Sequence, residues 1–277
     1  MKKIVLSVAL TGAITPKSKA PALPILPDEI AADAVRCVKA GAAICHLHAR
    51  TPDGVGTMNV DVFREIYEKT RAALDAEGLD AIINLTTSGG KGTDEERVAH
   101  LKALCPEMCS YDAGTINWAG DGVFINSPQF LKMLGKLTMD LKIKPEIEIF
   151  DSNMIRTAIR YGEEGFLRKP LHFQLVLGTY GGVEATVKNL AMLKSKLPEG
   201  STFSVTGCGA GSVPMLMAAL AIGADGVRVG LEDNVYMSKG VPATNLQQVE
   251  RARDIIETAD FAIATPAEAR ELLHFPR

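Results

Sequence analysis

Gly41-Ala42-Ala43-Ile44-Cys45-His46-Leu47-His48 starts with a glycine of the kind that ends a helix and continues as an apolar run that reads as a buried strand. Upstream of it, Pro27-Asp28-Glu29 opens a helix through about Ala40, and the run at 3–10 reads as an earlier strand. Working outward, further strand-like runs lie at 80–87, 108–113, 144–150, 171–177, 202–207 and 226–231. Helical spacing fills the intervals. Val62, Phe63, Ile66, Tyr67, Thr70 and Leu74 form one apolar stripe over 60–77, and Asp94-Glu95-Glu96 places acids in the first turn of a helix ending near Leu104. Other helices are expected at 127–139, 152–161, 184–197, 211–222 and 246–259. Strands that alternate with helices pair in parallel through right-handed crossovers, and eight such units predict an α/β fold, a closed (β/α)8 TIM barrel occupying 1–277 as a single domain. The alternative is a doubly wound open sheet. Against it, no Gly-x-Gly-x-x-Gly follows the first strand.

The balance of 47% hydrophobic and 23% charged residues in 277 permits a sizeable core and excludes long disorder. A formal net charge of −3 gives no general attraction to nucleic acid or to an anionic membrane surface, so neither partner is expected. The five cysteines, 37, 45, 105, 109 and 208, lack Cys-x-x-Cys spacing and are odd in number, which points to free thiols in a reducing compartment. Cys37 and Cys45 read as small buried hydrophobes. The amino-terminal apolar stretch is short and lacks a cleavage pattern, and the run Val213 to Ala221 is too short to span a bilayer. A cytoplasmic protein is expected.

His46 and His48 are two residues apart on a strand end, so both rings face the same way. Two imidazoles on one face make a metal-ligand pair once a third ligand arrives from elsewhere. Glu232 is the candidate, because 228, 230 and 232 share a face at the end of the last strand. Two histidines and a glutamate leave a coordination position open, as catalytic zinc sites do. The competing reading makes the histidines satisfied core residues.

In a barrel all strand carboxyl ends meet on one face. Polar residues collect there: Arg50, then Asn84, Thr86, Thr87 and Ser88, then Asp112, Thr115 and Asn117, then Glu146, Glu148 and Asp151, then Arg228, Asp233 and Asn234. Glu148 on an interior face requires a cation or a donor network, and Arg228 requires an anion such as Asp233, Glu148 or a substrate carboxylate. For both, a purely structural ion pair is the rival reading. Gly207-Cys208-Gly209-Ala210-Gly211 fits a barrel's phosphate-binding loop or a plain tight turn equally well. Gly89-Gly90-Lys91-Gly92 lacks Walker spacing and reads by default as a flexible loop, and no Gly-x-Ser-x-Gly elbow supports a serine hydrolase. Lys17, Lys19 and Lys91 lie on candidate site loops and carry no assignment.

His-Leu-His-Ala-Arg at 46–50, Asn-Leu-Thr-Thr-Ser-Gly-Gly at 84–90, Asp-Ala-Gly-Thr-Ile-Asn-Trp at 112–118, Pro-Glu-Ile-Glu-Ile-Phe-Asp at 145–151, Leu-Val-Leu-Gly at 175–178 and Val-Gly-Leu-Glu-Asp-Asn at 229–234 follow in order along almost the whole chain. Together they resemble the β-keto acid cleavage enzymes. The resemblance implies a zinc-bearing (β/α)8 barrel, usually a homotetramer, that joins a β-keto acid to acetyl-CoA and releases acetoacetate and a new acyl-CoA. It implies zinc on His46, His48 and Glu232, and Arg228 with Asp233 behind substrate deprotonation. Thr86 and Thr115 would hold the keto acid's carboxylate. The Thr86 position is serine in the best-known member, and the extra residue Ser88 leaves the choice among Thr86, Thr87 and Ser88 open.

One departure bears on the substrate. Members that cleave an aminohexanoate carry a glutamate after strand one to receive the ammonium group, and in Leu10-Thr11-Gly12-Ala13-Ile14-Thr15 the matching residue is Ile14. An apolar side chain leaves a buried cation unpaired, so a β-keto acid with an uncharged tail is expected. Rival readings are a zinc hydrolase or a class II-type aldolase on the same barrel, and a non-catalytic acyl-CoA-binding protein.

Overall fold

Each of the eight runs forms a parallel strand: β1 (Lys3–Ala9), β2 (Ile44–Leu47), β3 (Ile82–Leu85), β4 (Met108–Asp112), β5 (Lys144–Ile149), β6 (His172–Leu177), β7 (Thr202–Gly207) and β8 (Gly226–Val229). This computed structural model describes residues 1–89, 92–118 and 122–276. Neighbouring strands pair in chain order, and β8 pairs with β1 at Val5↔Gly226, Leu6↔Val227 and Ser7↔Arg228. The sheet is therefore closed, as expected, and has no free edge along its long axis.

Eight helices surround it: α1 (Pro27–Lys39), α2 (Val60–Ala76), α3 (Glu96–Leu104), α4 (Pro128–Asp140), α5 (Ser152–Glu163), α6 (Val187–Lys194), α7 (Ser212–Ala221) and α8 (Asn245–Thr258). Side-chain caps fix two of the starts. Thr93 and Glu96 exchange hydrogen bonds, Glu96 N to Thr93 Oγ1 and Thr93 N to Glu96 Oε2, and Arg97 N donates to the Thr93 carbonyl, so Asp94, Glu95 and Glu96 form the turn that leads into α3, as expected. Thr186 accepts from Asn189 N and fixes the start of α6 at 187 rather than 184.

Strand parity separates two environments. Leu6, Val8, Cys45, Leu47, Ile83, Leu85, Phe173 and Val227 pack outward in the layer shared with the helices. The intervening positions face the barrel axis, and in its carboxyl-terminal half they are polar: His46, Asn84, Ser110, Asp112, Glu146, Glu148, Gln174, Thr206 and Arg228 are all buried. Val5, Ile44, Ile82 and Met108, near the amino-terminal strand ends, cluster instead with Ala264, Ala269 and Leu273.

That cluster belongs to a segment the hydrophobic pattern did not reveal. After α8, Ala262–Ile263 adds a short parallel pairing to β1, and α9 (Pro266–Leu272) lies beneath the strand starts. Thr265 and Glu268 cap α9 reciprocally, with Pro266 in its first turn. Arg270 binds both Asp80 and Glu107, and Lys3 pairs with Glu268. Short hairpins at 116–117 with 123–124 and at 236–238 with 241–242 ornament the opposite face. Gly90 and Lys91, singled out in the sequence, lie outside the described residues.

Candidate metal centre and active site

His46 is the penultimate residue of β2 and faces inward, His48 lies just past the strand's end at Leu47, and Glu232 comes round from beyond β8. The last approach depends on two glycines. Gly230 has φ +139°, and a Cβ there would stand 2.1 Å from the Ala9 carbonyl oxygen; Gly12 has φ +61°, and a Cβ there would stand 2.8 Å from Glu232 Cγ. The loop after β1 thus lies directly against Glu232.

The three side chains converge on one point. His46 Nε2 is 3.1 Å from His48 Nε2 and 3.6 Å from Glu232 Oε2, and His48 Nε2 is 3.3 Å from the same oxygen. Ligands about 2.0–2.1 Å from a tetrahedral zinc stand about 3.3–3.4 Å apart, so this triangle fits that ion's first shell. Glu232 Oε2 is buried without a hydrogen-bond partner, while Oε1 accepts from Arg228 Nη2 at 2.8 Å. A buried carboxylate oxygen left bare among imidazole nitrogens calls for a cation. Burial drives the His46 pKa down to about 3, which keeps the ring neutral and able to ligate. Burial works against ionisation of Glu232 as well, yet His48, Arg228 and His46 hold its carboxyl well below the usual range.

Arg228 is the hub of the acids. Its Nε and Nη2 grip Asp233 at 2.9 and 3.0 Å, its Nη1 reaches Glu148 at 3.0 Å, and Glu146 stands 4.0 Å away. Arg228 and Glu148 are partners of each other, the ion pair that a purely structural reading of either also predicts. One guanidinium thus faces Asp233, Glu232, Glu148 and Glu146 in a buried space. Burial raises the carboxyls of Asp233 and Glu148, and brings that of Glu146 up to about 7. The excess negative charge favours a divalent ion beside them. His46, Glu146 and Glu148 also bring ligand atoms within 4.8 Å of one another. In that set Glu148 already accepts from Arg228 and Glu146 accepts from Asn84, so the His46, His48 and Glu232 set is the better cradle.

The hydroxyls beside this centre sort themselves by their bonds. Thr87 donates to the Ser110 carbonyl and Ser88 donates to Asp112. Thr86 Oγ1 accepts from Ser88 N at 3.0 Å, and Thr115 Oγ1 accepts from Asn126 N at 2.9 Å. Among the described residues no acceptor is recorded for the hydroxyl hydrogen of Thr86 or Thr115, so both can donate to a ligand. Ile14 is 59% exposed on the loop after β1. That loop is pinned by Arg50, whose guanidinium donates to the carbonyls of Thr11, Gly12, Thr15 and Gly54. Arg97, stacked 3.8 Å from the Phe130 ring centroid, ties Thr87, Ile125 and Asn126 together in the same manner.

Gly207 and Gly211 are closely packed, whereas Gly209 has a positive φ of +55° with open space around it. Added Cβ atoms at Gly207 and Gly211 would stand 2.2 Å from the Gly211 carbonyl oxygen and 2.4 Å from Ala185 Cβ, and Gly209 N donates to the Asp233 carbonyl. The turn therefore braces Asp233 against β7.

A family model described as beta-keto acid cleavage enzyme matches residues 3–275. This chain belongs to that family. Within it, the chain is 41% identical to a 3-keto-5-aminohexanoate cleavage enzyme of Fusobacterium nucleatum, over 99% of this chain and 98% of the relative. It is 34% identical to a 3-dehydrocarnitine:acetyl-CoA trimethylamine transferase of Rhizobium meliloti, over 98% and 96% respectively. Among solved structures, the apo form of ObcA superposes with a TM-score of 0.81 at 24% identity, covering 93% of this chain and 66% of that one, which speaks to the shared barrel.

As a β-keto acid cleavage enzyme family member, the chain has its sequence-derived candidates in one place: His46, His48, Glu232, Arg228, Asp233 and Glu148 are joined by the contacts above, with Thr86 on the same interior face. Thr115 and Ile14 are exposed on surrounding loops. Sequence reasoning noted Asn84, Glu146 and Asp112 as polar strand residues without giving them a task, and passed over Thr206, whose hydroxyl donates to Asp233 Oδ2 at 3.1 Å. The available signal for Thr206 was parity, two residues after Ser204 on β7.

Proposed function

We propose that this enzyme is zinc-dependent and joins a β-keto acid with an uncharged tail to acetyl-CoA, releasing acetoacetate and the acyl-CoA of that tail. The carrying observation is the bare, buried Oε2 of Glu232 between two imidazole nitrogens, one guanidinium away from Asp233. His46, His48 and Glu232 would hold the ion, which when bound supplies a Lewis acid that polarises the keto acid's oxygens.

The remaining work falls to the chain. Thr86 and Thr115 donate their hydroxyl hydrogens to the substrate carboxylate. Asp233 removes the proton between the keto and carboxylate groups. Its Oδ2 already accepts from Arg228 Nε and Thr206, whereas Oδ1 accepts only from Arg228 Nη2, so the proton goes to Oδ1. Burial raises the Asp233 carboxyl and makes it a stronger base than an exposed aspartate. The carbanion attacks the acetyl-CoA carbonyl and expels the CoA thiolate. That thiolate then attacks the original keto carbon, the carbon–carbon bond breaks, and the leaving acetoacetate carbanion takes back the proton from Asp233. No cysteine is required as nucleophile.

Tail preference rests on Ile14. The relatives' names span an ammonium, a trimethylammonium, an uncharged diketone and a second carboxylate, so family membership leaves the tail open. Ile14 offers no charge to any of the three ionic kinds. A homotetramer in the cytoplasm belongs to the same proposal: the tetramer rests on the family resemblance alone, and the compartment on five free cysteines.

The test is a mass-spectrometric assay of zinc-loaded protein with acetyl-CoA and cationic, neutral and anionic β-keto acids. Acetoacetate with the matching acyl-CoA is expected from neutral acids, and is lost in His46→Ala and Glu232→Ala. Ile14→Glu is expected to move the preference toward the ammonium substrate. Bound zinc without any acyl-CoA product would favour the hydrolase or aldolase instead.

A further inference from the structure

Among the buried atoms that lack hydrogen-bond partners, two stand on neighbouring residues of adjacent strands: His46 Nδ1 and Asn84 Oδ1. His46 and Asn84 are direct register partners across β2 and β3, and both face the axis. Asn84 is turned by a third residue, because its Nδ2 donates to Glu146 Oε2 at 2.6 Å. All three residues are essentially fully buried, at 1%, 0% and 1% exposure, so water does not substitute for these contacts freely.

From this geometry we infer that Asn84 and Glu146 are positioning residues that fix the ring tautomer of His46 and thereby the affinity of the centre for its ion. A carboxyl oxygen receiving a hydrogen bond selects the amide nitrogen of Asn84, so the amide carbonyl is turned the other way and can only accept. The group able to satisfy it on the adjacent strand is the His46 ring through an Nδ1–H. A ring with its proton on Nδ1 has a lone pair on Nε2, the atom 3.1 Å from His48 Nε2 and 3.6 Å from Glu232 Oε2. The opposite tautomer would put a hydrogen into the ligand triangle and block it. Glu146 Oε2 lies 4.0 Å from His46 Nδ1, beyond hydrogen-bond reach, so the carboxyl acts through the amide. Arg228 Nη1, 4.0 Å away, restrains the same oxygen.

This inference rests on the metal reading above, and its test separates the two. Glu146→Met keeps the size but removes the acceptor that turns the Asn84 amide, which is then free to present its N–H to the ring. Asn84→Ala removes the acceptor outright. The readouts are zinc affinity, by competition with a chromophoric chelator, and the His46 tautomer, by nitrogen-15 NMR of the metal-free protein.

Wild type is expected to show the Nδ1–H tautomer. Glu146→Met should shift it toward Nε2–H and weaken zinc about 10–100-fold. Asn84→Ala should weaken zinc similarly, and the double variant should lose no more than the larger single loss. Wild-type affinity and tautomer in Glu146→Met would overturn the inference alone, as would a weakened Glu146→Met beside an unaffected Asn84→Ala. A wild type that binds no zinc would overturn the inference and the metal reading together.

Discussion

The two ends of this barrel are built on opposite principles. At the amino-terminal end Val5, Ile44, Ile82 and Met108 close against Ala264, Ala269 and Leu273, and α9 is clamped beneath by Arg270 on Asp80 and Glu107. At the carboxyl-terminal end Arg228 faces four carboxyls, with a bare carboxylate oxygen between two imidazoles. The floor supports folding by burying apolar area, about 25 cal/mol per Å². The mouth concentrates charge where desolvation opposes folding. Eight strands pass through both, so stability and chemistry are separated along the strand axis rather than among elements.

The largest effect that should sharpen this contrast is Arg228→Met. It leaves Asp233 and Glu148 buried without their cation, at a cost of about 3–5 kcal/mol. Turnover should fall about 1000-fold or more, as several kcal/mol of lost transition-state stabilisation requires. Denaturant unfolding and the acyl-CoA assay read both.

Leu273→Ala is the counterpart below. A leucine fully buried in the floor should cost about 2–5 kcal/mol on truncation. Activity per folded molecule should stay at the wild-type value, and a changed kcat or KM would break the separation of the two ends.

Solution pH tests the mouth without mutation. In the metal-free protein Glu146 titrates near 7 and Glu148 well above its ordinary value, so the folded state holds protons that the unfolded chain has released. Stability is then lost as pH rises through that interval. Burial lowers His46, His100 and His172 to about 3, 4 and 3, which acts in the opposite sense below about 6.5. Between pH 6.5 and 8 the carboxyls act without that opposition. Metal-free protein should lose about 1 kcal/mol or more across the window by chemical denaturation, and zinc should flatten the loss.

The smallest effect is expected of Thr206→Val. Removing the hydroxyl from Asp233 Oδ2 should cost about 1 kcal/mol and move the acid limb of the kcat profile to higher pH, since the carboxylate loses a donor. An unshifted limb would disconnect Asp233 from proton removal.

Much of the mouth was legible because parity on a strand is strict. His46 with His48 follows from spacing once the strands are placed, and the barrel follows from the alternation of runs; Glu232 reaches Arg228 through the turn at Gly230, because β8 ends at Val229 and strand parity does not extend to 232. The floor was harder to see. Thr265-Pro266-Ala267-Glu268 does carry a helix start, but it follows the eighth unit, where the strand-helix count is already complete. The arginine clamps leave no trace in sequence, because Arg50 and Arg97 bind mainly backbone carbonyls and every residue has one. The Asn84 to Glu146 bond joins β3 to β5 across β4, a reach produced by the curvature of the closed sheet rather than by any interval along the chain.

Arg50 also bears on how such a chain diversifies. Each of its four acceptors is a main-chain oxygen, so the path of the loop from Thr11 to Thr15 is specified independently of the side chain carried at position 14. A new residue there inherits a fixed anchorage and alters only what it offers to its surroundings. If position 14 meets the substrate's tail, as proposed above, selection can explore substrate preference one codon at a time, without re-solving the folding problem at each step.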